Sequence, residues 1–238
     1  MLKFNTCTDI VDLPIDQKLI LMKRSTYIII SIIVLAACGP QERVSKDVFD
    51  QVNNAMEAKK LSEAQITQEA MIWGDSISNE AQQQLMSSLH QAVEEKGYAG
   101  ALEFCNVNAA PIVNDLSNKH GVEIRRTSFR ARNQNNLPTE AESALLEAYQ
   151  YNVENGIQSE PNIQKIEGGD VLLYTKAIVI PSEFCLACHG DSENEIEAGL
   201  LNKIDSLYPT DLARGFSVGN LRGMWSLKIP KKAVVNRL

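Results

Sequence analysis

Histidine, cysteine and basic charge are all scarce in this chain of 238 residues. There are three histidines and five cysteines. They form a single C-x-x-C string, with no second such string and no H-x-x-x-H beside it. A structural zinc site built from two ligand pairs would lack half its ligands. Acidic residues outnumber basic ones, 30 to 23, for a net charge of −7. That balance excludes nucleic acid as a partner and a polybasic hold on anionic lipid. The apolar run Tyr27 to Ala37, interrupted only by Ser31, is too short to span a bilayer comfortably. Internal repeats and low-complexity segments are also missing.

What the chain does contain is Cys185-Leu186-Ala187-Cys188-His189, a C-x-x-C-H string. Each position has a chemical reason. Two thiols three residues apart can add across the two vinyl groups on one edge of a haem. The histidine that follows at once then falls beneath the iron as proximal ligand. The motif predicts one covalent haem c, held by Cys185 and Cys188 and ligated by His189.

Attachment of this kind needs reduced thiols and an assembly system outside the cytoplasm, so an export signal is expected. Met22-Lys23-Arg24 opens a short basic stretch, Tyr27 to Ala37 supplies the apolar run, and Leu35-Ala36-Ala37-Cys38 resembles a bacterial lipobox. Cleavage before Cys38 would leave that cysteine lipidated. The protein would then be tethered to the periplasmic side of a bacterial membrane; the alternative is an uncleaved anchor. Residues 1–21 carry Asp9, Asp12 and Asp16 and read as an over-extended start. The expected organisation is thus 1–21 as that start, 22–37 as signal peptide, 38–60 as tether and 61–238 as the haem-binding domain. Removing residues 1–37 takes four basic and three acidic residues, so the remainder carries −8.

From Ser62 to Lys96 apolar residues recur at three- and four-residue steps, the helical period, until Gly97. Tyr98, Leu102, Cys105, Ala109, Ile112 and Leu116 then form one face of a second amphipathic helix, stopped by Gly121. Val122 to Phe129 alternates like a strand. Thr139 to Asn155 is a helix with a Thr139/Glu142 capping box. Asp170 to Ile180 is a buried strand, Glu195 to Ser206 a short helix and Leu221 to Ile229 a last strand. Helices first, then strands interrupted by helices, predict an α+β domain with an antiparallel sheet.

Cys7 would leave with the leader, Cys38 would be lipidated, and Cys185 and Cys188 would go to haem. Cys105 then remains without a disulfide partner, either as an inert buried thiol or as a thiolate ligand on the second side of the iron. The other candidate ligands are His90, read as surface; His120, read as a helix C-terminal cap; and Met71 and Met86, read as packing. Arg125, Arg126, Arg130 and Arg132 fall within eight residues. They are either a solvated edge strand or partners for haem propionates, with alternation placing Arg126 and Arg130 together, opposite Arg125. Arg222 and Trp225 read as packing and surface.

Four segments occur in a fixed order: Phe104-Cys105-Asn106-Val107-Asn108-Ala109-Ala110-Pro111, Ile124 to Asn133, Cys185 to His189, and Gly219-Asn220-Leu221-Arg222-Gly223-Met224-Trp225-Ser226. Together they resemble a bacterial family of secreted single-haem c-type domains with a PAS-like fold, found also as the sensing part of signalling proteins. The resemblance runs from about Leu61 to Ile229. It implies a PAS-like antiparallel sheet with N-terminal helices packed around the haem, and Cys105 as the iron ligand opposite His189. Gln134 and Asn220 depart from the family, which often has proline and aspartate there.

A lipid-anchored monohaem protein of this kind would act in redox or gas sensing, or in low-potential electron transfer, because thiolate donation stabilises ferric iron. No output domain follows Leu238, so a separate redox or signalling protein is the expected partner. The alternative is a peroxidase-like enzyme, which needs an open distal position and an acid–base group beside it.

Overall fold

Ser62 opens the fold. Its hydroxyl accepts the Gln65 N–H, while the Gln65 side chain accepts the Ser62 N–H, a reciprocal capping box that satisfies two otherwise orphaned donors. Helix α1 (Glu63–His120) follows. The computed structural model describes residues 45–49 and 61–238, and residues 61–238 form one compact unit. The expected leader, the signal segment, Cys38 and most of the tether lie outside the described residues. Among the described residues no helix is long and apolar enough to cross a membrane.

Gly97 divides α1 into two arms, 63–96 and 98–120. Its φ of 68° and ψ of 178° are not helical, and a glycine reaches them without a Cβ penalty. The first arm buries Ile66, Ala70, Trp73, Ile77 and Ala81 against a sheet, as its spacing predicts. Gly74 lies in the same stripe, and a Cβ there would meet the Tyr174 ring at 2.5 Å. Helical glycine costs roughly 1 kcal/mol against alanine, and here it permits the helix to lie directly on the Tyr174 ring. Gly121, at φ 65°, ends the second arm in the left-handed cap expected of it.

The sheet comprises β1 (Glu123–Thr127), β2 (Asn162–Ile166), β3 (Val171–Val179) and β4 (Leu221–Pro230). Its order is β1-β4-β3-β2 and every neighbouring pair is antiparallel. The domain is therefore α+β, as the order of elements predicts. Both faces of the sheet are covered, which is why β3 reads as a nearly continuous apolar run. Leu172, Tyr174, Trp225, Leu227 and Ile229 face α1. Leu173 and Met224 face helix α2 (Glu140–Glu154), with its Leu145, Leu146 and Tyr149. The Tyr149 hydroxyl donates to the Thr175 carbonyl oxygen at 3.0 Å, so even this buried phenol is satisfied.

Three expectations need correction. Strand β1 ends at Thr127, because Ser128 turns away to donate its N–H to the Asn136 carbonyl oxygen. Arg130 is consequently off the strand, and the alternation that paired it with Arg126 does not apply. Helix α4 (Ala198–Leu207) begins later than Glu195, since the Asp191 carbonyl oxygen accepts the N–H groups of Glu195 and Ile196 in a separate turn. Strand β2 and the terminal helix α5 (Lys231–Val235) carry too few apolar positions to show a period.

Candidate functional site

The C-x-x-C-H segment folds as a short 3-10 turn, Glu183–Cys185, running into the single-turn helix α3 (Leu186–His189). Leu186 anchors it in a cluster with Ile180, Ala213 and Phe216, to which Cys185 adds. Cys188 packs on a second cluster, formed by Leu102 of the second arm with Ile196, Leu200 and Ile204. Both cysteines are free, half-buried thiols, and burial pushes each thiol up from its ordinary value.

His189 is fixed from behind. Its Nδ1 lies 2.8 Å from the Ala213 carbonyl oxygen. A carbonyl only accepts, so Nδ1 carries the proton and Nε2 is left with a free lone pair. Gly215 and Phe216 donate their N–H groups to the Gly190 and His189 carbonyl oxygens, which clamps this segment against the motif. The Phe216 ring meets the imidazole edge-on at 6.3 Å between centroids. Burial, then the charges of Arg222 and Arg132, hold His189 well below the usual imidazole range. It is neutral at pH 7, the form in which histidine binds a metal.

Arg132 ties the motif to the loop around Asp211 and Ala213. Its guanidinium donates to the Cys188 carbonyl oxygen at 2.5 Å and to the Ala213 carbonyl oxygen at 3.3 Å, and it pairs with Asp211 at 3.2 Å. The Asp211 side chain is fully buried. Burial opposes its charge, but hydrogen bonds from Arg214 and Arg132 prevail and keep its carboxyl below the usual range.

Cys105 lies one helical step beyond Leu102, which places it on the side of the second arm that meets Cys188. It is half-buried rather than enclosed in core. Burial pushes its thiol up, while Arg126 and then Arg132 pull it down. Arg126 is half-buried with its guanidinium 5.8 Å from the Trp225 ring, and Trp225 itself is buried, its indole N–H donating to Gln82.

Arg222 stands out from the sequence reading. The pairing of β3 with β4 slips here: Ile178 faces Gly223 and Val179 faces Leu221, leaving Arg222 as the extra residue of a bulge. The bulge aims it inward, where its guanidinium lies 5.4 Å from the Phe216 ring and donates to the Arg130 carbonyl oxygen. Burial, with Arg132 and Arg126 nearby, pushes it down to about 9. Among the described residues neither Arg126 nor Arg222 has a carboxylate within 4 Å. Two half-buried cations without anions call for an acidic ligand. Arg130, by contrast, is exposed, donates to the carbonyl oxygens of Leu212 and Arg214 and covers Phe216 at 4.0 Å. Arg222 is therefore the more enclosed cation of the two and a better candidate for holding an anion than Arg130, the residue expected to do so.

The remaining candidates fall outside. His120 binds Glu80 at 2.8 Å at the far end of the second arm. Met71 packs against the sheet core, and Met86 is half-buried on the first arm. His90 is exposed yet stacks on Phe184 at 4.3 Å, a neighbour of the motif that the sequence did not reveal.

Together these residues fit a haem. Two thiols share one helical turn, an imidazole offers a free Nε2, a third thiol lies on the facing helix, and two unpaired cations could receive propionates. They fit a bare ion poorly, since the described residues include no group of three or more His, Cys, Asp or Glu side chains placed to hold one.

No curated protein matches the chain. A solved structure does, described as the crystal structure of the cyanobacterial haem protein Tll0287: identity is 30%, over 51% of this chain and 70% of that one, with a TM-score of 0.39. The Tll0287-like family model matches residues 43–230, most of the sequence. The chain belongs to the Tll0287-like family, and is thereby related to a haem protein.

Proposed function

We propose that this chain carries one haem c, attached by thioethers to Cys185 and Cys188, with His189 and Cys105 as the two iron ligands. The observation that carries this reading is the hydrogen bond from His189 Nδ1 to the Ala213 carbonyl oxygen, directly behind two free thiols on one turn. It fixes the ring orientation and tautomer that a proximal ligand needs. When bound, the haem supplies a one-electron couple, and a thiolate–imidazole pair stabilises its ferric form. The chain's own groups do the rest. Arg132 braces the motif, the Leu102 and Leu186 clusters pack against the half-buried thiols, and Arg126 and Arg222 neutralise acidic substituents.

The four-stranded antiparallel sheet with α1 laid across it is read as PAS-like. The biological role that follows is redox or gas sensing, or low-potential electron transfer, by a domain lipid-anchored through Cys38 on the periplasmic side of a bacterial membrane. A redox or signalling protein is its partner. The peroxidase-like alternative needs an acid–base group beside an open distal position; His120 instead pairs with Glu80 at the far end of the second arm, and His90 stacks on Phe184.

Protein matured with a c-type assembly system and then denatured should keep its haem through extraction into acidified organic solvent. Haem in the organic layer would overturn the thioether reading. Detergent partitioning that persists in Cys38→Ala would overturn the lipid anchor.

A further inference from the structure

The Ala213 carbonyl oxygen has two donors, His189 Nδ1 at 2.8 Å and the Arg132 guanidinium at 3.3 Å. We infer that Arg132 and Asp211 form a positioning pair that sets the reduction potential at His189 through this shared carbonyl. The inference rests on the haem reading above. A ligating histidine becomes a stronger donor as its second nitrogen gives its proton more fully to an acceptor. Arg132 draws density from the same oxygen, which weakens the hydrogen bond that oxygen accepts from His189 Nδ1 and leaves His189 a weaker donor to ferric iron. Its positive charge acts in the same sense, since it disfavours the more positive oxidised state.

Asp211 sets how strongly Arg132 acts. Its Oδ1 accepts both Arg132 Nε at 3.2 Å and the Ala213 N–H at 2.9 Å, so one buried carboxylate orients the guanidinium and the peptide that presents the carbonyl. Arg214 adds a second cation to the same carboxylate at 2.7 Å. The Arg132 bond to the Cys188 carbonyl oxygen fixes the guanidinium to the haem motif itself. The couple involved is one electron taken up by ferric iron, with no bond to Arg132 made or broken.

The test is potentiometric titration of matured holoprotein and its variants. Arg132→Gln should keep the attached haem and lower the potential, raising the ferric-to-ferrous ratio at a fixed potential about tenfold, equivalent to ~59 mV for one electron. Asp211→Asn should move the ratio the other way. Arg132→Lys keeps the charge without the fork that holds Asp211 through Nε while Nη2 reaches the two carbonyls, and should fall between the parent and Arg132→Gln. Potentials unchanged in Arg132→Gln, or shifts of the same sign in Arg132→Gln and Asp211→Asn, would overturn the proposal. If Arg132→Gln fails to mature, the sign in Asp211→Asn decides alone: a rise supports the pair, and no change or a fall sinks it. Absence of covalent haem in the parent protein would instead defeat the haem reading, which the extraction experiment detects separately.

Discussion

The two arms of α1 have similar sequence character and different fates. The first arm buries a complete stripe from Ile66 to Ala81 against the sheet. On the second, residues 103–112 include Phe104, Cys105, Val107, Ala109 and Ile112, yet none of these ten residues is buried, and Val107 is 68% exposed. Protein atoms complete the packing of one arm and not of the other. An apolar, half-covered helix face bearing a lone thiol, beside half-buried arginines without anions, supports the proposed haem site on this arm.

That contrast predicts opposite consequences for substitutions on the two arms. Cys105→Ala should have the largest effect and should be spectroscopic. Loss of the thiolate leaves an open or water-bound position that takes up carbon monoxide, and the potential rises because ferric iron loses an anionic donor. Cys105→Ser should not restore the parent spectrum. If Cys105→Ala retains the low-spin spectrum and potential of the parent, Cys105 is not the ligand, and His90, beside Phe184, becomes the next to test.

Gly74→Ala should do the reverse. Its new methyl would lie against the Tyr174 ring, and such overpacking costs about 1–3 kcal/mol. For a domain of this size that lowers Tm by roughly 2–4 °C per kcal/mol, with the haem spectrum of surviving protein unchanged. A spectral change without a loss of Tm would show that the arms are not separable in this way.

The smallest effect is expected at an ion pair that links the two arms away from Gly97. Glu80 of the first arm pairs with Lys119 and His120 at the end of the second, at 2.5 and 2.8 Å. Hydrogen bonds from Lys119 and then His120 hold the Glu80 carboxyl below its ordinary range. A depressed carboxyl contributes stability that is present above the unfolded-state value of about 4.3 and fades as pH falls through the lower folded-state value. Glu80→Gln should therefore cost at most about 1 kcal/mol at pH 7, and the difference from the parent should shrink below about pH 4. A constant difference in urea midpoints from pH 7 to pH 3 would show that Glu80 acts through packing and not charge.

Residues that announce themselves by period or by local chemistry were legible in advance. The capping box at Thr139, the stops at Gly97 and Gly121, the buried β3 and the C-x-x-C-H turn are of this kind, because each depends on residues within one or two turns of one another. Edge strand β2 was missed because it buries little. Arg130 was misplaced because a periodic argument cannot tell where a strand ends once a turn such as Ser128 to Asn136 intervenes. Arg132 stood in a segment already singled out by its resemblance, but nothing local indicated what it would hold.

Residue type and short spacing establish the chemistry on offer: two thiols and a histidine in a fixed string, one thiol without a partner, and an acidic chain with clustered arginines. Those are properties of residue type and short spacing, and folding does not alter them. Folding alone settles which arginines lack anions, that Ala213 presents its carbonyl oxygen to both His189 and Arg132, and that a bulge in β4 turns Arg222 inward. Each joins segments separated by 24 to 92 residues, and such contacts are set by register and packing, which no local pattern encodes.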